Sequence, residues 1–72
     1  SGSSGQVRAE QSSINEVQRG GGRILQQNAA GAMPGGYRMQ LRVRMPQGET
    51  RTLGCTYSSQ SGQVRLDVLS GT

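Results

Sequence analysis

The chain has 72 residues and a formal net charge of +4, and 31% of its residues are hydrophobic, with two tyrosines and neither Phe nor Trp. This size and composition allow one small domain with a thin core. One cysteine and no histidine exclude an intramolecular disulfide and the usual zinc ligand sets, no run approaches the ~18 apolar residues of a membrane span, and we expect neither a cofactor nor a metal.

The N-terminal segment is rich in Gly and Ser. We expect residues 1–5 to be an expression leader outside the fold, and the domain to be cut from a larger protein. Residues 6–36 are expected to form a flexible segment or a lid, with a polar lead-in followed by a short helix near residues 13–19.

Three residues define that short helix. Ser13 is predicted as its N-cap with Glu16 at the N3 position of a capping box, and Arg19 lies near the C-terminus, where a cation interacts favourably with the helix dipole. Gly20-Gly21-Gly22 should end the helix. A phosphate-binding loop is not predicted there, because no strand precedes the glycines and no Gly-Lys-Ser/Thr follows.

The next segment is ambiguous. Residues 23–27 are compatible with a fourth strand or with part of a second short helix that runs to Ala30, because Ile24 and Leu25 are adjacent and match neither period. Residues 28–36, rich in Ala, Gly and Pro, are predicted to be a loop.

Residues 37–69 alternate between apolar and polar side chains, which is the period of a half-buried strand. Three segments show it, and they begin near Tyr37, Thr50 and Gln63. We therefore predict a mainly β or small α+β fold, an antiparallel meander of three or four strands with at most one short N-terminal helix, and a tail at residues 70–72.

Turn chemistry predicts the register of the first hairpin. Pro46-Gln47-Gly48 suits a type I turn followed by a left-handed glycine, which places Met45 opposite Glu49. The expected pairs are then Val43–Arg51, Leu41–Leu53, Met39–Cys55 and Tyr37–Tyr57. The polar connection at residues 58–62 predicts the pairs Tyr57–Val64, Cys55–Leu66 and Leu53–Val68.

This pairing gives the sheet an apolar face and a polar face. The apolar face should contain Tyr37, Met39, Leu41, Val43, Met45, Leu53, Cys55, Tyr57, Val64, Leu66 and Val68. These side chains need cover to be stable, and the candidates for a lid within the chain are Ile14, Val17, Ile24 and Leu25.

The polar face is predicted to be basic. Its candidate binding residues are Arg38, Arg42, Arg44 and Arg65. Asp67 alone opposes them, which leaves a local excess of +3. An arginine row is also typical of a solvated surface, and on residues 37–45, which we expect to be an edge strand, it would discourage unwanted strand pairing.

Residues 41–49, Leu-Arg-Val-Arg-Met-Pro-Gln-Gly-Glu, resemble the first hairpin of ubiquitin-like domains of the UBX type, in a similarity that covers residues 37–57. That family continues with a long amphipathic helix, whereas this chain continues with the polar residues 58–62 and another strand. No partner or binding residue is therefore transferred from the family.

These features favour a non-enzymatic function. The acids Glu10, Glu16, Glu49 and Asp67 are scattered, and a thiol inside a sheet behaves as a small hydrophobe. We expect an intracellular protein-interaction module that binds a protein partner, or the rest of its parent protein, through a sheet face or an edge strand; an acidic peptide is one such partner. The alternative is a nucleic-acid-binding module that uses the arginines, although exposed aromatic residues for base stacking are absent.

Overall fold

The computed structural model describes residues 4–70 and contains one N-terminal helix and a five-stranded antiparallel sheet. The elements are α1 (Ser4–Arg19), β1 (Arg23–Gln27), β2 (Gly31–Met33), β3 (Gly36–Arg44), β4 (Thr50–Ser58) and β5 (Val64–Ser70). The predicted mainly β antiparallel fold is confirmed. There is one strand more than predicted, because residues 31–33 of the expected loop pair with the start of β3.

The helix is longer than predicted. It begins at Ser4 rather than near residue 13, so it includes the lead-in and the last two residues of the expected leader. Its buried residues are Ala9, Ser13 and Val17, one per turn on a single face. Hydrophobic periodicity reveals only large apolar side chains, whereas this contact is made mostly by small ones that let the helix lie close to the sheet.

Ser13 is not an N-cap, contrary to the prediction, because it lies in the interior of α1 and is 1% exposed. The predicted end of the helix is confirmed. The Gly22 N–H donates to the Val17 carbonyl at 3.0 Å and the Gly21 N–H donates to the Gln18 carbonyl at 3.0 Å, while Gly21 has φ of +89°. This is a Schellman motif, and it turns the chain directly into β1.

The strand order is β1-β3-β4-β5, and β2 pairs with the part of β3 that β1 leaves free. The prediction that residues 37–45 form an edge strand is therefore wrong, since β3 has β4 on one side and both β1 and β2 on the other. The edges of the sheet are β1 with β2 on one side and β5 on the other. β4 is followed by a short loop and β5, so the hairpin that resembles the UBX type does not lead into a helix.

The predicted register is confirmed in both hairpins. Tyr37 pairs with Tyr57, Met39 with Cys55, Leu41 with Leu53 and Val43 with Arg51, and β5 places Val64, Leu66 and Val68 opposite Tyr57, Cys55 and Leu53. At the first turn the Met45 N–H donates to the Glu49 carbonyl at 2.7 Å. Gly48 has φ of +103°, the left-handed conformation that the turn requires.

The core lies between α1 and one face of the sheet. It consists of Ala9, Val17, Ala30, Met39, Leu41, Val43, Leu53, Cys55 and Tyr57, with Ile14 and Ile24 packed at its margin. Two predicted core or lid residues are outside it. Leu25 is 45% exposed because a bulge between Ile24 and Gln26 breaks the alternation, and Val68 is 60% exposed because β5 has a neighbouring strand on one side only.

Candidate interaction surface

The side of the sheet opposite α1 is uncovered and basic. All four predicted binding residues lie on it and are exposed, and Arg38 and Arg65 share a row because each is paired with Thr56. Arg42 and Arg44 follow along β3, opposite Thr52 and Thr50. With Arg23, described next, these residues form what we call the arginine face: Arg23, Arg38, Arg42, Arg44 and Arg65.

Arg23 is a member that the sequence argument missed. It is paired with Arg44, and directly opposed residues of an antiparallel pair point to the same side of the sheet. Residues 23–27 were ambiguous between strand and helix, so no face could be assigned to Arg23. The signal that locates it is the helix stop at the glycine triplet, which allows β1 to start at residue 23.

The charges of the domain are divided between its two sides. The arginine face has five arginines and one aspartate, Asp67, which leaves +4, the formal net charge of the whole chain. The remaining charges lie on α1 or on the covered side of the hairpin and cancel: Arg8, Arg19 and Arg51 against Glu10, Glu16 and Glu49.

The neutral side is also paired locally. Arg51 contacts Glu49 at 2.8 Å and Arg19 contacts Glu16 at 3.4 Å, while the Glu10 carboxylate accepts a hydrogen bond from the Ala30 N–H at 2.9 Å. No arginine of the arginine face makes a salt bridge within residues 4–70. One guanidinium, that of Arg44, donates to the Gly48 carbonyl at 3.3 Å. The guanidinium charges of the face are thus not neutralised by a carboxylate within these residues, and they can meet carboxylates or phosphates from outside.

A small apolar patch interrupts the arginine face. The Leu69 side chain lies over Gly54, where an added Cβ would come within 3.1 Å of a Leu69 methyl group, and Leu69 is 42% exposed. This explains why the centre of β4 has a glycine: a larger residue would displace Leu69. The result is a hydrophobic contact point beside Asp67, which is paired with Gly54.

A shallow depression adjoins this patch on the same face, since its lining residue Gln40 is paired with Gly54. Its volume is about 170 Å³, and it is lined by Gln26, Gln27, Asn28, Gln40, Leu41, Arg42 and Thr52. The bulge in β1 lies at its margin, since the register shifts between Ile24 and Gln26 and Gln26 is a lining residue. The lining amides offer donors and acceptors next to the positive charge of Arg42, which suits a polar ligand group rather than an apolar one.

The covered side contains the single cysteine. The Ser13 hydroxyl donates to the Ala9 carbonyl at 2.8 Å and also contacts the Cys55 sulfur. Since that hydroxyl has one proton, the thiol donates to the Ser13 oxygen, and both buried groups are satisfied. Burial raises the pKa of the Cys55 thiol above its usual value, and the charge of Glu16 raises it further, whereas the hydrogen bond with Ser13 lowers it.

The other acids do not converge. Glu10, Glu16, Glu49 and Asp67 lie on α1, in the β3–β4 turn and on β5, and within residues 4–70 no group of three His, Cys, Asp or Glu side chains is placed to hold a metal ion. A thiol with a raised pKa and 1% exposure is a poor nucleophile. In the described part of the chain, no helix is long and apolar enough to cross a membrane.

Comparisons of the chain with protein-family models, with curated proteins and with solved structures find no match. The surface chemistry described above is therefore the basis for the functional argument.

Proposed function

We propose that this domain is a non-enzymatic protein-interaction module that binds an acidic segment of a partner protein on its arginine face. The observation that carries the proposal is the division of charge: the uncovered side of the sheet has the whole net charge of +4, and the helix side has none. Electrostatic complementarity of this kind speeds the encounter with an acidic surface and excludes basic partners.

Two further features support a protein as the partner. Arginine forks match carboxylates in a bidentate geometry, and Leu69 adds an apolar contact among them, so the face suits a segment that mixes acidic and aliphatic side chains. Both tyrosines of the chain point to the helix side, where Tyr57 is 6% exposed and Tyr37 is half-buried. The face thus lacks the stacking platforms that single-stranded nucleic acids use.

The test is an NMR titration with a ten-residue peptide of alternating Glu and Val, with the Lys-Val peptide of the same length as the control ligand. We expect the acidic peptide to shift the amide signals around Arg38, Arg42 and Leu69, and the basic peptide to shift none of them. The double variant R38E/R42E should lose the response. Its matched control is R8E/R19E, which changes the net charge equally on the helix side and should keep it.

A response that is the same in both double variants, or that is confined to α1, would contradict the proposal. So would equal binding of the acidic and basic peptides, because then charge does not select the ligand.

Nucleic-acid binding is the second candidate, and the feature that favours it is the five arginines of the arginine face, none of which makes a salt bridge within residues 4–70. The same NMR assay with single- and double-stranded oligonucleotides at two salt concentrations separates the two functions, since phosphate contacts make affinity fall steeply with salt. Oligonucleotide binding that exceeds peptide binding and depends on Arg38 and Arg42 would establish the second candidate. The absence of binding at low salt removes it.

A further inference from the structure

The edge strand β5 has a sequence whose chemistry is symmetric about its centre. From Val64 to Val68 the side chains are apolar, basic, apolar, acidic and apolar. Arg65 and Asp67 lie on the arginine face, opposite Thr56 and Gly54, and the three apolar side chains lie on the helix side. Within residues 4–70 only β4 pairs with β5, so the other side of this strand presents backbone N–H and C=O groups that no described strand pairs with, at the rim of the sheet.

This order is self-complementary in one antiparallel register. If two copies meet with Leu66 opposite Leu66 of the second copy, Val64 lies opposite Val68 and Arg65 lies opposite Asp67, each contact occurring twice by symmetry. Opposed residues share a side of the sheet, so each basic side chain meets an acidic one on the arginine face. On the helix side, the 60% exposed Val68 gains a valine neighbour.

The opposite edge of the sheet does not offer such a site. β1 is interrupted by the bulge at Leu25, and β2 has three residues. β5 lacks the features that usually prevent edge-to-edge pairing, because residues 64–68 contain no proline, no lysine and no β-bulge. The register shift of β5 lies beyond them, between Val68 and Ser70, and the two charges of residues 64–68 have opposite signs.

From these observations we infer that a second copy of the chain pairs with β5, forming a two-fold symmetric dimer with one continuous ten-stranded sheet. The symmetry axis is perpendicular to the sheet and passes midway between the two Leu66 residues. Both arginine faces then lie on one side and both helices on the other. The dimer thus presents a basic surface twice as large, with the neutralised Arg65–Asp67 pairs at its centre. This inference concerns the sheet edge and does not depend on which partner the arginine face binds.

Charge exchange between Arg65 and Asp67 tests the register directly. R65D places two acidic residues opposite each other at each symmetric contact, and D67R places two basic ones there. The double variant R65D/D67R exchanges the signs and restores the complementarity. An equimolar mixture of the two single variants also restores it, because every contact between unlike chains then joins opposite charges.

The assay is sedimentation equilibrium at protein concentrations from about 10 μM to about 1 mM, since an interface between two edge strands is small and of the weak class. We expect concentration-dependent dimerisation of the wild type, and dimer dissociation constants at least about tenfold higher for each single variant, which follows from reversing two cross-strand charge pairs. The double variant and the mixture should return to wild-type behaviour. Circular dichroism of each variant monitors folding.

A second measurement locates the interface. Hydrogen exchange of the β5 amides should slow as the wild-type concentration rises, while exchange in β1 and β2 stays constant. A wild type that remains monomeric at 1 mM overturns the inference. It is equally overturned if the single variants dimerise as well as the wild type, or if the double variant and the mixture stay monomeric while folded.

Discussion

Substitution of Gly36 by alanine should destabilise the domain more than any other glycine-to-alanine change in the β2–β3 hairpin. Gly36 begins β3 and is paired with Ser58. A Cβ at this position would be 1.8 Å from the Tyr57 carbonyl oxygen, a backbone atom that no side-chain rotation can move away. Real Cβ contacts stay beyond 3.0 Å, so β3 and β4 would have to separate by at least about 1.2 Å at this corner.

That displacement sets the magnitude. The Ser59 N–H donates to the Gly35 carbonyl at 3.0 Å, and hydrogen-bonded pairs alternate along an antiparallel ladder, so the next bonded pair is Tyr37–Tyr57. The bonds of these two pairs, which flank Gly36, would stretch beyond hydrogen-bonding distance. With two or three bonds worth about 0.5–1.5 kcal/mol each, and looser packing of the buried Tyr57, the expected loss is roughly 2–4 kcal/mol. A domain of this length has a free energy of unfolding of roughly 4–11 kcal/mol, so the substitution removes a large share of its stability.

Urea unfolding followed by circular dichroism measures the effect, and the melting temperature should fall by roughly 10–25 °C. The matched control is G31A in β2, where an added Cβ would be 3.9 Å from the nearest atom, the Arg38 carbonyl oxygen, and should be tolerated. A G36A domain within about 0.5 kcal/mol of the wild type, or a G31A domain that loses as much as G36A, would refute the reasoning.

Three further predictions concern the core, the helix end and the thiol. L41A should lower the free energy of unfolding by about 3–5 kcal/mol because Leu41 is fully buried, whereas V7A should lower it by less than about 1 kcal/mol because Val7 is 52% exposed. Equal losses in urea unfolding would contradict the assigned core. G21A should lower the free energy of unfolding by about 1–2 kcal/mol, because alanine is strained at the left-handed φ of +89°, whereas G20A, at a residue without such a φ, should be near neutral. The reverse order in thermal melts would exclude the Schellman end. The contribution of Cys55 to the free energy of unfolding should be fully present below the usual thiol pKa of about 8.5 and should fall as pH rises above it, because burial raises the pKa of Cys55 in the folded state and the unfolded thiol ionises first. An equally steep alkaline loss of stability in C55A would show that other groups cause it.

The hairpins could be predicted from the sequence because several local signals agree there. Alternation from Tyr37 onward, the left-handed Gly48 and the turn proline all require one register, and a shift by one residue would put every apolar side chain on the wrong face. The composition of the arginine face followed from the same alternation. Four of its five arginines were identified for this reason.

The helix and the outer strands were harder to predict because their stability comes from tertiary contacts. Ala9 and Ser13 have little hydrophobicity, and only their proximity to Cys55 and the sheet makes them core residues. The face of Arg23 depends on β1, whose bulge at Leu25 hides the period of a strand. Because both β1 and β2 pair with β3, β3 is an inner strand and not an edge strand. Residues 23–33 lack the alternation of apolar and polar side chains from which those two strands could have been predicted.

The partition of charge makes the molecule a permanent electric dipole whose axis runs through the thickness of the sheet. The field of a polyanion exerts a torque on this dipole before the surfaces touch, and it turns the arginine face towards the polyanion and α1 away from it. Orientation before contact reduces the rotational search that limits the association rate of most proteins. This advantage shrinks as the salt concentration rises, because a shorter Debye length shortens the range of the field.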